Sequence, residues 1–308
     1  MTTTRVTHPL TRYWPRRPDL SRVRRLDGVL GINARNERIA RDNPTRAIKL
    51  VDDKHATKTA LAAAGAPTAP TLAFVESRRD LAAVDWAALG GSWALKPNQG
   101  LGGSGIVLAT APDPDLPAGE GWLSASGRRI SRAAVLDHAR FVLDGEFSGR
   151  PRDAVLVEPL IRAHPDMAAL SHRGLPDVRV LCLSDEPVMA MVRLPTSASG
   201  GRANLHQGAI GAAVELGTGV ITGAWVGRRP LDRHPDTGVD LVGAVVPCWD
   251  GVLDAATRCG PATGLHYVGA DVVVDRDAGP LVLEVNARPG LQIQNVNGRG
   301  LAGLLPAA

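Results

Sequence analysis

LVLEVNARPG, residues 281–290, reads as a buried strand that carries charge. Leu281, Val282, Leu283 and Val285 form an apolar run, yet Glu284 sits inside it, with Asn286 two residues on and Arg288 two beyond. Residues i, i+2 and i+4 of a strand share one face. A carboxylate, an amide and a guanidinium are therefore expected in line on the same side. A bare buried carboxylate costs several kcal/mol, and two ways of neutralising Glu284 stand open: an ion pair with Arg288, or a metal ion.

The preceding segment favours the metal. YVGADVVVD and GPLVLEVNA (267–287) are expected to form a hairpin across the turn RDAG, which can set Asp271 beside Glu284. Two carboxylates placed together need a cation. Asp271, Glu284 and Asn286 are all oxygen donors, which suit Mg²⁺ and not Zn²⁺. Such an ion completes its octahedron with water and nucleotide phosphates. No H-E-x-x-H or G-x-S-x-G motif is present, so zinc hydrolysis and serine-triad chemistry lack their signatures.

Phosphate binding has its own signal upstream. KPNQGLGGSGI (96–106) contains Gly100, Gly102 and Gly105, formally a G-x-G-x-x-G. A dinucleotide fold needs a strand before this motif and a helix after it. Here SWALKP (92–97) precedes it, but GIVLAT (105–110) is strand-like, and Glu120, the nearest suitably spaced acid, lies in a Pro/Gly-rich loop. A Walker loop lacks its Lys-Ser/Thr pair. Two readings remain, a flexible hairpin loop or a strand–loop–strand flap that lays backbone N–H groups on phosphates. In the second, Lys96 aims an ammonium at the same phosphates, and Lys54, in the first turn of a helix over 52–65, joins it.

At 308 residues and 44% hydrophobic, the chain can bury a sizeable core in two lobes. No run reaches the roughly 18 apolar residues of a membrane span, and MTTTRVTHPLTRYWPRRPDL lacks the apolar segment of a secretory signal. Cys182, Cys248 and Cys259 are odd in number and far apart. That excludes a disulfide framework and a CxxC metal site, and a cytoplasmic protein is expected. Seven arginines against one aspartate in residues 1–25 supply +6 of a formal net charge of +4, leaving −2 elsewhere. The basicity thus belongs to an N-terminal arm, solvated or touching an acidic surface. With aromatics at 4% there is no base-stacking platform, and no nucleic acid partner is expected.

Helices are expected at 33–44, 52–65, 77–89, 131–147 and 248–260, with Ala134, Leu136 and Phe141 among the apolar positions of 131–147. Strands are expected at 71–76, 92–97, 105–110 and 153–161, in a hairpin over 177–195, and near 210–216 and 219–226. The Ser/Gly-rich stretch 196–208 reads as a mobile loop. Mixed order with hairpins dominating the second half points to an α+β fold.

Taken together, Lys54 in DDK, Lys96 in WALKP with its glycine flap, VLVEPLI (155–161), DVRV (177–180), and Asp271 with EVNARPG resemble the ATP-grasp superfamily. GINARNERIARDNPTRAIKLVDDKHATK (31–58) and GRANLHQGA (201–209) are similar to its glutamate-ligase-related branch, which includes ribosomal-protein glutamate ligases and sugar-transfer-associated ATP-grasp proteins. The resemblance implies two α+β lobes with mainly antiparallel sheets clamping ATP: residues 53–160 as the small lobe, 161–308 as the large one, and 1–52 as a shortened extension. It implies that Lys54 and Lys96 bind the α- and β-phosphates under a flap of Gly100, Gly102, Gly103, Ser104 and Gly105. Glu158, Pro159, Leu160 and Ile161 would form the hinge that meets adenine, mostly through backbone groups. Arg179 would face the γ-phosphate, and Asp271, Glu284 and Asn286 would hold Mg²⁺, usually two ions. Arg202, Asn204, His206 and Arg288 would line the acceptor side, Arg288 with a catalytic role.

The implied activity is amide or peptide bond formation from a small-molecule or peptide carboxylate and an amine, through an acyl phosphate. Glutamate, another amino acid or a peptide are the candidate substrates. Phosphorylation of a small-molecule hydroxyl, and non-catalytic nucleotide binding, remain as alternatives. Family members commonly carry a fuller N-terminal domain, and the short segment before Lys54 leaves that surface to a homodimer mate or a macromolecular substrate.

Overall fold

Alternating apolar residues build two sheets of different size. The computed structural model describes residues 27–100 and 102–304, so the arginine-rich arm of residues 1–25 lies outside the described residues. After α1 (Ile32–Asp42) and α2 (Thr45–Val51), α3 (Lys54–Ala63) leads into β1 (Ala73–Val75) and α4 (Arg78–Ala83). Strands β2 (Trp93–Pro97) and β3 (Val107–Ala109) flank the glycine loop. Next come β4 (Ala111–Pro112), β5 (Gly121–Leu123), β6 (Arg129–Ser131), α5 (Arg132–Leu143) and β7 (Val155–Pro159). The remainder runs α6 (Pro165–Ala169), β8 (Asp177–Leu183), β9 (Glu186–Leu194), β10 (Ile210–Val214), β11 (Ile221–Val226), β12 (Arg229–Leu231), α7 (Trp249–Thr257), α8 (Cys259–Thr263), β13 (Tyr267–Asp275), β14 (Gly279–Asn286) and α9 (Gln292–Asn297).

The small sheet has order β1-β7-β2-β3, the large one β12-β11-β10-β9-β8-β13-β14, and β4-β5-β6 form a third. Every strand pairing among these sheets is antiparallel, which makes the fold α+β with hairpin-built sheets. Trp86, Trp93 and Trp122 meet edge-on or tilted under the small sheet, with ring centroids 5.0–5.9 Å apart. Among the described residues no helix is long and apolar enough to cross a membrane.

One face of the large sheet packs Val178, Val180, Val192, Ala270, Val272 and Val285 against α7 and α8. Ala47, Val51, Leu61 and Ala66 join this same core. Helices α2 and α3 therefore pack with the large sheet, although α3 precedes the small one in the chain. The other face of the large sheet is apolar at one end, where Leu181, Met189, Met191 and Tyr267 meet Ile39, Ile293 and Val296. Its middle carries charge and faces the cleft.

Several local elements differ from expectation. Helix α4 stops at Ala83, because Val84 turns to extended backbone (ψ 123°) and drops Trp86 into the core. The stripe of α5 that packs inward is Val135, Ala139 and Val142, while Ala134 is exposed and Phe141 is 56% exposed. The three-stranded sheet β4-β5-β6 and helix α2 were not anticipated. The 196–208 segment is braced at its base. Thr196 and Ser199 are joined by three hydrogen bonds (2.9, 3.0 and 3.0 Å), and Ser197 donates its N–H and hydroxyl to Asp236 (2.8 and 2.5 Å). Short Ser and Thr hydroxyls that satisfy nearby backbone groups fix a turn.

Candidate active site

A cleft of about 830 Å³ lies between the small sheet and the charged middle of the large one. In the small sheet, Trp93, Leu95, Val155 and Val157 turn into the core. Strand alternation then sends Ala94, Lys96, Leu156 and Glu158 to the cleft. The register sets Ala94 opposite Glu158 and Lys96 opposite Leu156, so Lys96 and Glu158 are diagonal neighbours, within reach of a long side chain. Lys96 Nζ ion-pairs with one Glu158 oxygen, and Lys58 Nζ, from α3, pairs with the other. Burial pushes the Glu158 carboxyl up, but the two lysines outweigh burial and hold it below the usual range. Burial lowers the pKa of Lys58, with Glu158 opposing.

Lys54 opens α3, whose Asp53 cap accepts the Ala56 N–H (2.8 Å). Its Nζ donates to the carbonyls of Asn98 (3.2 Å) and Gly100 (2.8 Å), which ties it to the entrance of the flap and leaves one of three N–H groups over. Burial lowers its pKa, and the charges of Glu284 and Asp153 oppose that. Strands β2 and β3 pair directly across the flap, Trp93 with Ala109 and Leu95 with Val107. The motif is therefore the turn of a hairpin and does not open a helix. Gly100, Gly102, Gly103 and Ser104 line the cleft. Gly105 does not: a Cβ there would meet Phe147 at 2.5 Å, and its carbonyl accepts from His138 Nε2 (2.7 Å), which anchors the flap at this end.

Two bulges shape the large-sheet wall. Val272 pairs with Val282 but Asp271 pairs with Glu284, so Leu283 is the extra residue. Without it, strict alternation from Val282 would send Glu284 to the core side. The opening assumption that Glu284 is buried is thus corrected: it is exposed to the cleft. In the β8–β9 hairpin, Leu183 pairs with Glu186 but Asp177 pairs with Arg193, again after a shift. Arg193 meets Asp177 through two hydrogen bonds (2.5 and 2.7 Å) and reaches Asp271 Oδ2 (2.7 Å). Arg179, directly opposite Asp271, donates to both its oxygens, Nη2 at 2.7 Å.

Asp271 is therefore fully engaged, and Asn286 Nδ2 adds a further contact at 3.3 Å. Burial raises the Asp271 carboxyl and the two arginines lower it further than burial raises it. The same burial pushes Asp177 up to about 6, with Arg193 opposing. Glu284 makes no hydrogen bond or ion pair with another described residue. Its carboxyl is raised by crowding of the cleft wall and by Asp271, with Lys54 opposing. Although Glu284 is exposed by area, protein lines both sides of it, so screening is weaker than on an outer surface. For Mg²⁺ the donor chemistry fits at Glu284 and at Asn286, whose Oδ1 stays open because Nδ2 is committed to Asp271. Asp271 can join as a ligand only after an arginine lets go.

Arg288 departs from expectation. Strand β14 ends at Asn286, so the i, i+2, i+4 face does not extend to it. Its guanidinium is outside the cleft lining, exposed, and 3.6 Å from Asp52. The ion pair with Glu284 is thereby overturned. Arg202, Asn204 and His206 do reach the cleft wall, with Asn204 capping a 3-10 turn over Leu205–Gln207. Pro159, Leu160 and Ile161 line the opposite edge. Leu160 donates its N–H to the Ser92 carbonyl (3.3 Å), and the Glu158 side chain is held by Lys96.

Lys58, Asp177 and Arg193 were not anticipated as site residues. Lys58 had a signal, since it stands four residues after Lys54 on one helix face. Arg193 had none, because a count from the turn places Val192, not Arg193, opposite Asp177.

A cleft closed from both sides by antiparallel sheets, with lysines on one wall and carboxylates on the other, is the arrangement of the ATP-grasp class. The chain belongs to the sugar-transfer-associated ATP-grasp family, which it matches over residues 33–307. It is 31% identical over 138 residues to a "Probable alpha-L-glutamate ligase" of Parasynechococcus marenigrum (strain WH8102), a match that covers 44% of this chain and 22% of that protein. The chain thus spans about a fifth of that relative's length. Similar solved structures include the D-alanine–D-alanine ligase of Bacillus anthracis complexed with ATP (16% identity, 80% of this chain, 57% of that one, TM-score 0.47). Another is the ATP-grasp ligase PsnB complexed with a minimal precursor (18% identity, 85% of this chain, 60% of that one, TM-score 0.44).

Proposed function

We propose that this protein is an ATP-dependent carboxylate–amine ligase that works through an acyl phosphate and releases ADP and phosphate. The observation that supports this most is the division of the cleft. Lys54, Lys96 and the glycine hairpin offer donors to a polyphosphate from one side, while Arg179 and Glu284 line the cleft where its terminal group would lie, with Asn286, outside the lining, held to Asp271.

A carboxylate acylates poorly because oxide is a poor leaving group. Attack of a carboxylate oxygen on the γ-phosphorus forms a P–O bond and breaks the bond to ADP. The amine then attacks the acyl carbon, loses a proton, and phosphate departs with the C–O electron pair. Both steps call for positioning and charge neutralisation more than for a protein nucleophile. Lys54 and Lys96 hold the α- and β-phosphates, and Arg179 meets the charge developing on the transferred group. Glu284 and Asn286, joined by Asp271 once an arginine releases it, would hold Mg²⁺, which would supply further neutralisation of phosphate charge. Gly102, Gly103 and Ser104 close over the phosphates and keep water from the acyl phosphate. Arg202, Asn204 and His206 present a cation and polar groups to the acceptor side, which suits an amino acid or peptide. The glutamate-ligase relative points the same way.

The test supplies ATP, Mg²⁺ and a carboxylate, L-glutamate or a short peptide, with hydroxylamine replacing the amine. ADP, phosphate and a hydroxamate should accumulate together. AMP and pyrophosphate would refute the mechanism, and ADP without phosphate release would indicate phosphorylation of a hydroxyl.

A further inference from the structure

Glu158 is 4% exposed and holds two lysines at once, Lys96 on β2 and Lys58 on α3, both of which line the cleft. We infer that Lys58 is a positioning residue: it neutralises Glu158 so that the charge of Lys96 is left for the nucleotide phosphates. The inference rests on the nucleotide reading given above.

Charge counting carries it. Lys58, Glu158 and Lys96 together hold one surplus positive charge. Remove Lys58 and the trio is neutral. Lys96 would then be the only counterion of a nearly buried carboxylate, and drawing it toward phosphate would strand that carboxylate without a partner, which is strongly unfavourable. With Lys58 on the other oxygen, Lys96 can turn to the phosphates while Glu158 keeps a charged hydrogen bond. Geometry fits the division of labour. Lys96 lies on β2, whose next residues enter the glycine flap. Lys58 stands one helical turn past Lys54, two of whose three N–H groups go to the flap backbone. Asp271 repeats the arrangement on the opposite wall, held by Arg193 as well as Arg179.

A double-mutant cycle tests this by calorimetry on the full chain, using AMPPNP, ADP and adenosine as ligands. Lys58→Met should weaken ADP and AMPPNP about tenfold or more, the scale of a lost charged hydrogen bond, with little effect on adenosine. Lys58→Arg should retain most of the affinity. In a Glu158→Gln background there is no carboxylate to neutralise, so adding Lys58→Met should change polyphosphate affinity less than about threefold. This second arm does not require the Lys58→Met single variant to fold. An equal loss in both backgrounds would mean that Lys58 touches the phosphates itself, and would overturn the inference. So would unchanged ADP affinity in Lys58→Met. Failure of the wild-type chain to bind any of the three ligands would instead overturn the nucleotide reading, and this inference with it.

Discussion

Asp271 and Glu284 stand directly opposite each other on neighbouring strands, yet one is tied by two arginines and the other makes no hydrogen bond or ion pair among the described residues. Like charges at this spacing repel. Glu284 is the proposed Mg²⁺ ligand, and its unpaired state carries a stability penalty. Glu284→Gln should therefore act in opposite directions on two measurements. Turnover should fall at least about a hundredfold, the upper scale for disturbing a metal site. The nucleotide-free protein should melt roughly 1–3 °C higher at pH 7.5, a small gain because the side chain is solvent-reachable. Because the folded pKa of Glu284 is raised, the wild type loses stability as pH rises through it, and the gain should vanish below the ordinary value of 4.5. Near-wild-type turnover at limiting Mg²⁺ would sink the ligand role.

Glu158 has the opposite sign. Its folded pKa is lowered, so its contribution to stability is present above the ordinary value of 4.5 and is lost as pH falls through the folded value. Glu158→Gln should destabilise the protein by about 1–3 kcal/mol at pH 7, since two lysines lose their charged partner. Denaturant unfolding across pH 7 to 3 should show the wild-type and variant curves converging at the acid end. A constant gap would argue against the ionic origin of this term.

The glycine hairpin has an anchored end and a free tip. Gly105, with φ +73° and Phe147 against its absent side chain, fixes the end, while Gly102 and Gly103 sit at the tip. AMPPNP with Mg²⁺ should slow subtilisin cleavage within residues 98–105 by about tenfold or more, as expected when a lid closes. Gly105→Ala should raise cleavage there without ligand. Cleavage rates indifferent to both changes would mean that this hairpin does not act as a lid.

Asp236 braces the 196–208 loop from outside the cleft by accepting two hydrogen bonds from Ser197. Both bonds hold its pKa below the usual range, so the brace should persist at neutral pH. Asp236→Ala should raise KM for the non-nucleotide substrate about threefold to tenfold, an effect of positioning alone, and leave the ADP Kd unchanged. A parallel rise in ADP Kd would place the defect in the whole cleft.

Much of this architecture was local information in the chain. The apolar runs of 92–97, 155–159 and 267–286 mark the strands, and strand-like residues on both sides of the glycines decide a hairpin over a helix-opening loop. Residue chemistry nominated Lys54, Lys96 and Glu284 for the cleft, and the family resemblance added Arg179. The structure decided what stands opposite what. Bulges at Leu283 and in the β8–β9 hairpin shift pairing by one residue, bringing Glu284 to Asp271 and Arg193 to Asp177. A bulge follows from how two strands pack and twist against their neighbours, and leaves no mark in hydrophobic periodicity. The end of β14 at Asn286 is a tertiary outcome of the same kind, and it removes Arg288 from the site. So is the meeting of Lys58 with Glu158, 100 residues apart in the chain, because a buried carboxylate finds its counterions only once helix and sheet have packed.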